Sequence, residues 1–230
     1  MLLPQERIPW ILRFSAFRRD VTFRMNDGKP SVYLTFDDGP IPESTPWLLK
    51  TLEEYGAKAT FFMVADNVRK YPHLHKAVVD AGHSIGNHTF HHRPPFRQSI
   101  EEMMVDVRLA DDILHSRIFR PPHGLILPSQ QKALADAGYR IVMFDLNTLD
   151  YRADRTPQQI IDSVSRYVRP GCIINFHDSL KSISKLQIAL PAILQLLKSR
   201  NFSLLPLPQR LTINDQRLTI NSINQDKSSK

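Results

Sequence analysis

Short apolar, β-rich runs alternate with longer amphipathic stretches along most of this 230-residue chain. The runs "SVYLTF" (Ser31 to Phe36), "KATFFMV", "HSIGN", "RIFR", "YRIVMFDL", "CIINF" and "FSLLPL" read as seven strands. Between them the apolar spacing changes to that of a helix. "ESTPWLLKTLEEYG" starts with Ser44 and Thr45 as caps and Pro46 in the first turn, and stops at Gly56. "HLHKAVVDAG" stops at Gly82. A long amphipathic helix begins at Ile100, with Met103, Val107, Leu109 and Ile113/Leu114 near one face. "SQQKALADAG", "PQQIIDSVSRYV" and the stretch from Ser184 to Arg200, with Pro191 inside it, complete the helices. Such βα alternation predicts an α/β fold with a parallel sheet, open or closed as a barrel. The polar segment after Pro208 carries "RLTIN" twice, at Arg210 and Arg217; two copies of five residues are too short for a repeat architecture and read as a final strand or a loose tail.

With 42% hydrophobic residues and no Ser/Gly-rich or highly charged linker, the chain has material for one sizeable core, so a single domain is expected. The net charge of +7 comes from scattered basic residues unaccompanied by a nucleic-acid-binding motif. That predicts a solvated, mildly cationic surface and no nucleic-acid partner. Cys172 is the only cysteine, which excludes an internal disulfide and a thiolate cage for zinc, and it reads as a small buried hydrophobe. Any metal here needs His and carboxylate ligands. Near the N-terminus Arg13 and the pair Arg18-Arg19 interrupt every apolar stretch before it reaches the length of a signal h-region, and nothing approaches a membrane span. A cytoplasmic location is therefore favoured, unless an upstream segment has been removed.

Polar residues recur at one structural place, the C-terminal ends of the expected strands. Asp37-Asp38 end the first, His88 follows the third, Arg120 ends the fourth, Asp150 follows the fifth and His177-Asp178 end the sixth. In a parallel βα fold that edge is where active sites are built. Two neighbouring carboxylates repel one another unless a cation lies beside them. "GNHTFHHRP" supplies partners, because His88 and His92 are four apart and one turn or tight loop can aim both at one ion. With Asp38 they form a set of two histidines and one carboxylate, suited to a catalytic zinc and acceptable to other divalent metals. His91, between them, points to another face. Taken alone the histidine pair reads as ordinary surface or core residues; the other strand-end groups change that reading.

In order along the chain, "TFDDGP", "HTFHH", "RPPHG", "LDY" and "FHD" resemble the five motifs of the polysaccharide deacetylases, carbohydrate esterase family four or the NodB-homology domain. The resemblance spans about Ser31 to Leu207. It implies a distorted seven-stranded (β/α) barrel of TIM-like form over residues 31–208, with residues 1–30 as an arm packed on it and residues 209–230 as a polar tail. Carried over residue by residue, it makes Asp38, His88 and His92 the metal ligands, with zinc as the metal, or cobalt, nickel, manganese or iron. Asp37 becomes the general base, Arg120 the residue that orients it, His177 the general acid, Asp150 the carboxylate that holds the acid's imidazole, and His123 the donor of a backbone N–H to the oxyanion. The implied substrate is an N-acetylated glycan or oligosaccharide, and the family often acts outside the cytoplasm.

Departures from the family pattern bear on specificity. The fourth motif has Asn147 for an acidic residue and Tyr151 for tryptophan, keeping an aromatic wall and adding a hydroxyl. Ile174 stands for the fifth motif's leucine and is expected to line a pocket for the acetyl methyl, and His123 replaces a frequent aromatic. No ligand, base or acid is lost, so an active enzyme is expected. The leading activity is metal-dependent removal of N-acetyl groups from amino sugars. The alternatives are an O-acetyl esterase or a deacetylase/amidase of a small substrate, and a glycan-binding module without turnover.

Overall fold

The computed structural model describes residues 21–209; both "RLTIN" copies and the first 20 residues lie outside that range. In chain order the elements are β1 (Val21–Thr22), β2 (Ser31–Asp38), α1 (Thr45–Glu54), β3 (Ala59–Met63), α2 (Ala65–Lys70), α3 (Pro72–Asp80), β4 (Ser84–Asn87), α4 (Ile100–Leu114), β5 (Ile118–Phe119), α5 (Pro128–Asp136), β6 (Arg140–Val142), β7 (Leu146–Asn147), α6 (Pro157–Tyr167), β8 (Cys172–His177), α7 (Ile183–Ser199) and β9 (Ser203–Leu204). Short 3₁₀ turns cover Pro95–Arg97 and Pro122–Gly124.

All strand pairs are parallel, in the order β1-β6-β5-β4-β3-β2-β8-β7, with β9 also on β2. Parallel strands covered on both faces read as continuous apolar runs, which is why "SVYLTF" and "CIINF" stand out in the sequence. Side chains alternate between two cores. Val32, Leu34, Phe36 and Cys172, Ile174, Phe176 pack outward against α1, α6 and α7 through Leu48, Leu52, Ile160, Val164, Leu186 and Ile193. Tyr33, Phe62 and Ile173 join Ile118, Ile141 and the α4 residues Met103, Met104 and Val107 in the second.

The expected strand "YRIVMFDL" is divided. Its first part pairs with β1 and β5 and its second with β8, and the residues between them bridge the two edges. There Met143 N–H donates to Thr22 O (2.8 Å) and Asp145 N–H to Ile173 O (2.9 Å), so this segment draws the sheet toward a barrel. The carbonyls of Val142 and Met143 turn instead to the guanidinium of Arg120. The β1 residues Val21–Thr22, at the end of the N-terminal segment, are built into the sheet.

Two local expectations are corrected. Ser44 and Thr45 do not cap α1: both hydroxyls donate to the buried carboxylate of Asp178, Thr45 at 2.7 Å, and Thr45 Oγ1 also accepts Ile41 N–H (2.8 Å). Leu109 faces solvent, and the buried face of α4 is Met103, Met104, Val107, Ala110 and Leu114, entered through a Ser99–Glu102 capping box. Between β3 and α3 the chain also forms the six-residue helix α2, an element that the sequence pattern does not mark.

Candidate active site

Of the strand-end polar residues, Asp37, Asp38, His88, His177 and Asp178 line one cavity of about 730 Å³, together with His92, His123, Asn147, Tyr151 and Asn175 among others, while Arg120 and Asp150 are fully buried outside its lining. Asp37 and Asp38 are the last two residues of β2, and Asp38 adopts a left-handed φ of 82°. That turn lets adjacent carboxylates serve one site although strand neighbours ordinarily face opposite ways. Gly39 follows because a Cβ there would lie 2.0 Å from Asp178 Oδ2.

His88 and His92 stand on a loop rather than a helix, with Thr89 at φ 67° and His92 at φ 55°. His92 N–H donates to Thr89 Oγ1 (3.0 Å) and Thr89 N–H to Asn87 Oδ1 (2.8 Å). The imidazole of His88, buried, donates Nδ1–H to Arg120 O (2.8 Å), which leaves Nε2 facing Asp38 Oδ1 at 3.6 Å. His92 Nε2 is 3.2 Å from the same oxygen. One ligand atom from each of Asp38, His88 and His92 lies within 4.8 Å of the other two. Burial pushes His88 down to about 4, against the pull of the Asp37 and Asp38 carboxylates. A neutral imidazole with its outer nitrogen anchored is what a cation requires of a ligand. Burial opposes ionisation of Asp38, but the hydrogen bond from His92 and the charges of His177, His88 and His92 hold its carboxyl well below the usual range. The donor set therefore fits a divalent metal. His91 also lines the cavity but is outside the cluster, its ring and its backbone N–H both engaged by Asp106.

Beside this cluster, Arg120 is fully buried, with its guanidinium 4.1 Å from the ring of Phe62. Nη1 donates at 2.7 Å to Asp37 Oδ1, Thr35 Oγ1 and Asn175 Oδ1; Nε and Nη2 bond the carbonyls of Val142 (3.0 Å) and Met143 (2.8 Å). Desolvation lowers the Arg120 pKa, with Asp37 opposing it. The guanidinium remains charged because its ordinary value is so high.

Across the cavity, His177 is in register with Asp37 on the paired strands β8 and β2. Asp150 Oδ1 lies 2.7 Å from His177 Nδ1, and Asp150 Oδ2 accepts His177 N–H at 2.9 Å, which sets ring and backbone together. Burial alone would lower the imidazole. The charge and hydrogen bond of Asp150, with the charges of Asp38 and Asp37, overcome it and raise the group to about 9. Tyr151 packs edge-on against the His177 ring at 4.8 Å. His123 sits at φ 60° in its 3₁₀ turn with its ring 4.7 Å from that of His92, a contact that the backbone-only expectation omitted.

Ile174 does not line the cavity: it is fully buried in the outer core. By strand alternation Asn175 takes that place, on the face shared with His177. Thr35 and Asn175 escaped the sequence reading, although each lies two residues before a site residue and so on the same face of its strand.

Residues 24–142 match the profile of the family described as polysaccharide deacetylase. The chain is 34% identical over 195 residues to a peptidoglycan-N-acetylglucosamine deacetylase of Bacillus cereus, covering 79% of this chain and 88% of that protein. It is 30% identical over 207 residues to a chitooligosaccharide deacetylase of Azorhizobium caulinodans, covering 80% and 96%. The crystal structure of a peptidoglycan N-acetylglucosamine deacetylase superposes with a TM-score of 0.80 at 28% identity, over 91% of this chain and all of that one. The chain belongs to the polysaccharide deacetylase family, and the enzyme class is that of its hydrolases.

Proposed function

We propose that this protein removes N-acetyl groups from amino sugars of a glycan or oligosaccharide, with a divalent metal held by Asp38, His88 and His92. The observation that carries the reading is the placement of Asp37 and His177 in register on adjacent strands, facing one cavity beside that ligand cluster. The names of the relatives, deacetylases of peptidoglycan and of chitooligosaccharides, point to the same substrate class.

When bound, the metal supplies Lewis acidity, acidifying water and polarising an amide carbonyl. Asp37 is held by Arg120 and takes the proton of the attacking water. His177 delivers a proton to the departing nitrogen, and Asp150 keeps its Nδ1 engaged so that Nε2 is the working atom. The N–H of His123, for which no acceptor is found among the described residues, donates to the oxyanion. Tyr151 and Phe144 supply apolar wall around the sugar and its acyl group. Across the described residues no helix is long and apolar enough to cross a membrane.

The test is release of acetate and of primary amine from N-acetylglucosamine oligomers and peptidoglycan fragments, with protein stripped of metal and then refilled with zinc or cobalt. Metal-restored acetate with an equal yield of amine supports the reading. Acetate without amine moves the assignment to an O-acetyl ester, and stoichiometric metal binding with no acetate moves it to a different amide or to binding alone.

A further inference from the structure

The floor of the cavity is polar where the acyl group of a substrate would rest. Asn147 on β7 is opposite Asn175 on β8, and both line the cavity. Chemistry fixes how each carboxamide is turned. Asn175 Oδ1 accepts from Arg120 Nη1 (2.7 Å) and Thr35 Oγ1 (3.4 Å), and Asn147 Oδ1 accepts Leu149 N–H (3.2 Å). A guanidinium and a backbone amide only donate, so both oxygens are committed and both Nδ2 groups are left over. Neither Nδ2 meets an acceptor among the described residues, and Asn175 is only 2% exposed. Both residues line the cavity, and neither Nδ2 is sealed in the core, so both donors are open to an acceptor that enters it.

The position of that acceptor follows from the layering of β2 and β8. Asp37 and His177 form the upper layer, and Thr35 and Asn175 the next one inward. An amide carbon attacked from Asp37 and relieved of its amine by His177 lies in the upper layer. The sugar must leave toward the rim, where Tyr151 and Leu180 are exposed. The acyl substituent is then the part that reaches the carboxamides.

Resting on the deacylase reading above, we propose that Asn175 and Asn147 form an acyl subsite for a polar substituent. The chemical class is an amino sugar carrying an N-hydroxyacetyl (glycolyl) group, whose hydroxyl oxygen accepts from the two Nδ2 groups. The reaction keeps its form: water's oxygen bonds to the acyl carbon, the C–N bond breaks, the nitrogen leaves as the protonated amine and the acyl group leaves as glycolate. With an acetyl substrate, water takes the place of the hydroxyl.

Chitotetraose carrying only N-glycolyl, only N-acetyl or only N-propionyl groups separates the possibilities, because propionyl matches glycolyl in size and lacks the oxygen. Metal-refilled wild type is expected to cleave the glycolyl tetramer at least as well as the acetyl one, and on the order of 100-fold better in kcat/KM than the propionyl one, since a site built around hydrogen bonds rejects an analogue that cannot make them. Asn175→Leu reduces the glycolyl-to-propionyl ratio by about tenfold or more, and Asn147→Leu, which leaves the acceptors of Arg120 in place, reduces it too. In the Asp37→Asn variant calorimetry gives tighter binding of the glycolyl tetramer than of the propionyl tetramer. Acetyl turnover with propionyl equal to or better than glycolyl overturns the polar subsite and leaves the deacylase reading intact. No amine from any of the three overturns both.

Discussion

Arg120 Nη1 lies 2.7 Å from Asp37 Oδ1, and the guanidinium is wholly removed from solvent. A buried charge is tolerable only when its hydrogen bonds are met. Here they are met by one carboxylate, one hydroxyl, one carboxamide and two carbonyls freed where a strand divides. Arg120→Met leaves Asp37 buried without its partner and is expected to lower stability by about 3–5 kcal/mol in denaturant unfolding. Arg120→Lys keeps the charge but cannot span five acceptors; a loss of at least about tenfold in kcat with little change in KM is expected.

His177 titrates high because Asp150 outweighs the cost of its burial. Its folded value of about 9 lies above the ordinary histidine value, so the stabilisation it confers is complete below about 6.5 and is lost as pH rises through about 9. In its proposed role as the acid it supports turnover while protonated, so the alkaline limb of kcat is expected at or below about 9, lower where a cation at Asp38 cancels part of that carboxylate's pull. Asp150→Asn removes the charge, and the limb is expected to move down by about one unit or more in a pH–rate profile.

Asp178 gives the opposite sign. Burial raises its carboxyl to about 7, against the hydroxyl bonds from Ser44 and Thr45. An acid with a raised folded value costs stability when ionised, and that cost is relieved as pH falls from about 7 toward its ordinary value of 3.8. The melting temperature of the wild type relative to Asp178→Asn is therefore expected to rise between pH 8 and pH 5. Asp178→Ala leaves two buried hydroxyls without an acceptor, at about 1–3 kcal/mol each.

The central strands β2, β3 and β8 were legible because each carries a continuous apolar run, and much of the site was legible because its residues close such runs; the two-residue β1 left no such signal. What the pattern hid was orientation. Ile174 and Asn175 differ by one residue, and one residue on a strand exchanges core for cavity. Leu109 is apolar but lies six residues after Met103, well off its face at 3.6 residues per turn, and the buried face is completed by Met104 and Ala110 instead. The division of "YRIVMFDL" comes with the bonding of its Val142 and Met143 carbonyls to Arg120, two elements earlier, and the diversion of Ser44 and Thr45 to Asp178 with a strand end some 130 residues later; neither is a local signal.

Metal content and turnover, read on the same samples of Asp37→Asn and His88→Ala, test the central claim most directly. Asp37 is held by Arg120 and lies beside the proposed ligand cluster, whereas His88 is one of the three residues placed to hold the metal. The account predicts that Asp37→Asn keeps about one metal per chain and loses about 10²–10⁴-fold in kcat on N-acetylglucosamine oligomers, while His88→Ala loses both. Near wild-type turnover by Asp37→Asn with its metal in place would contradict it.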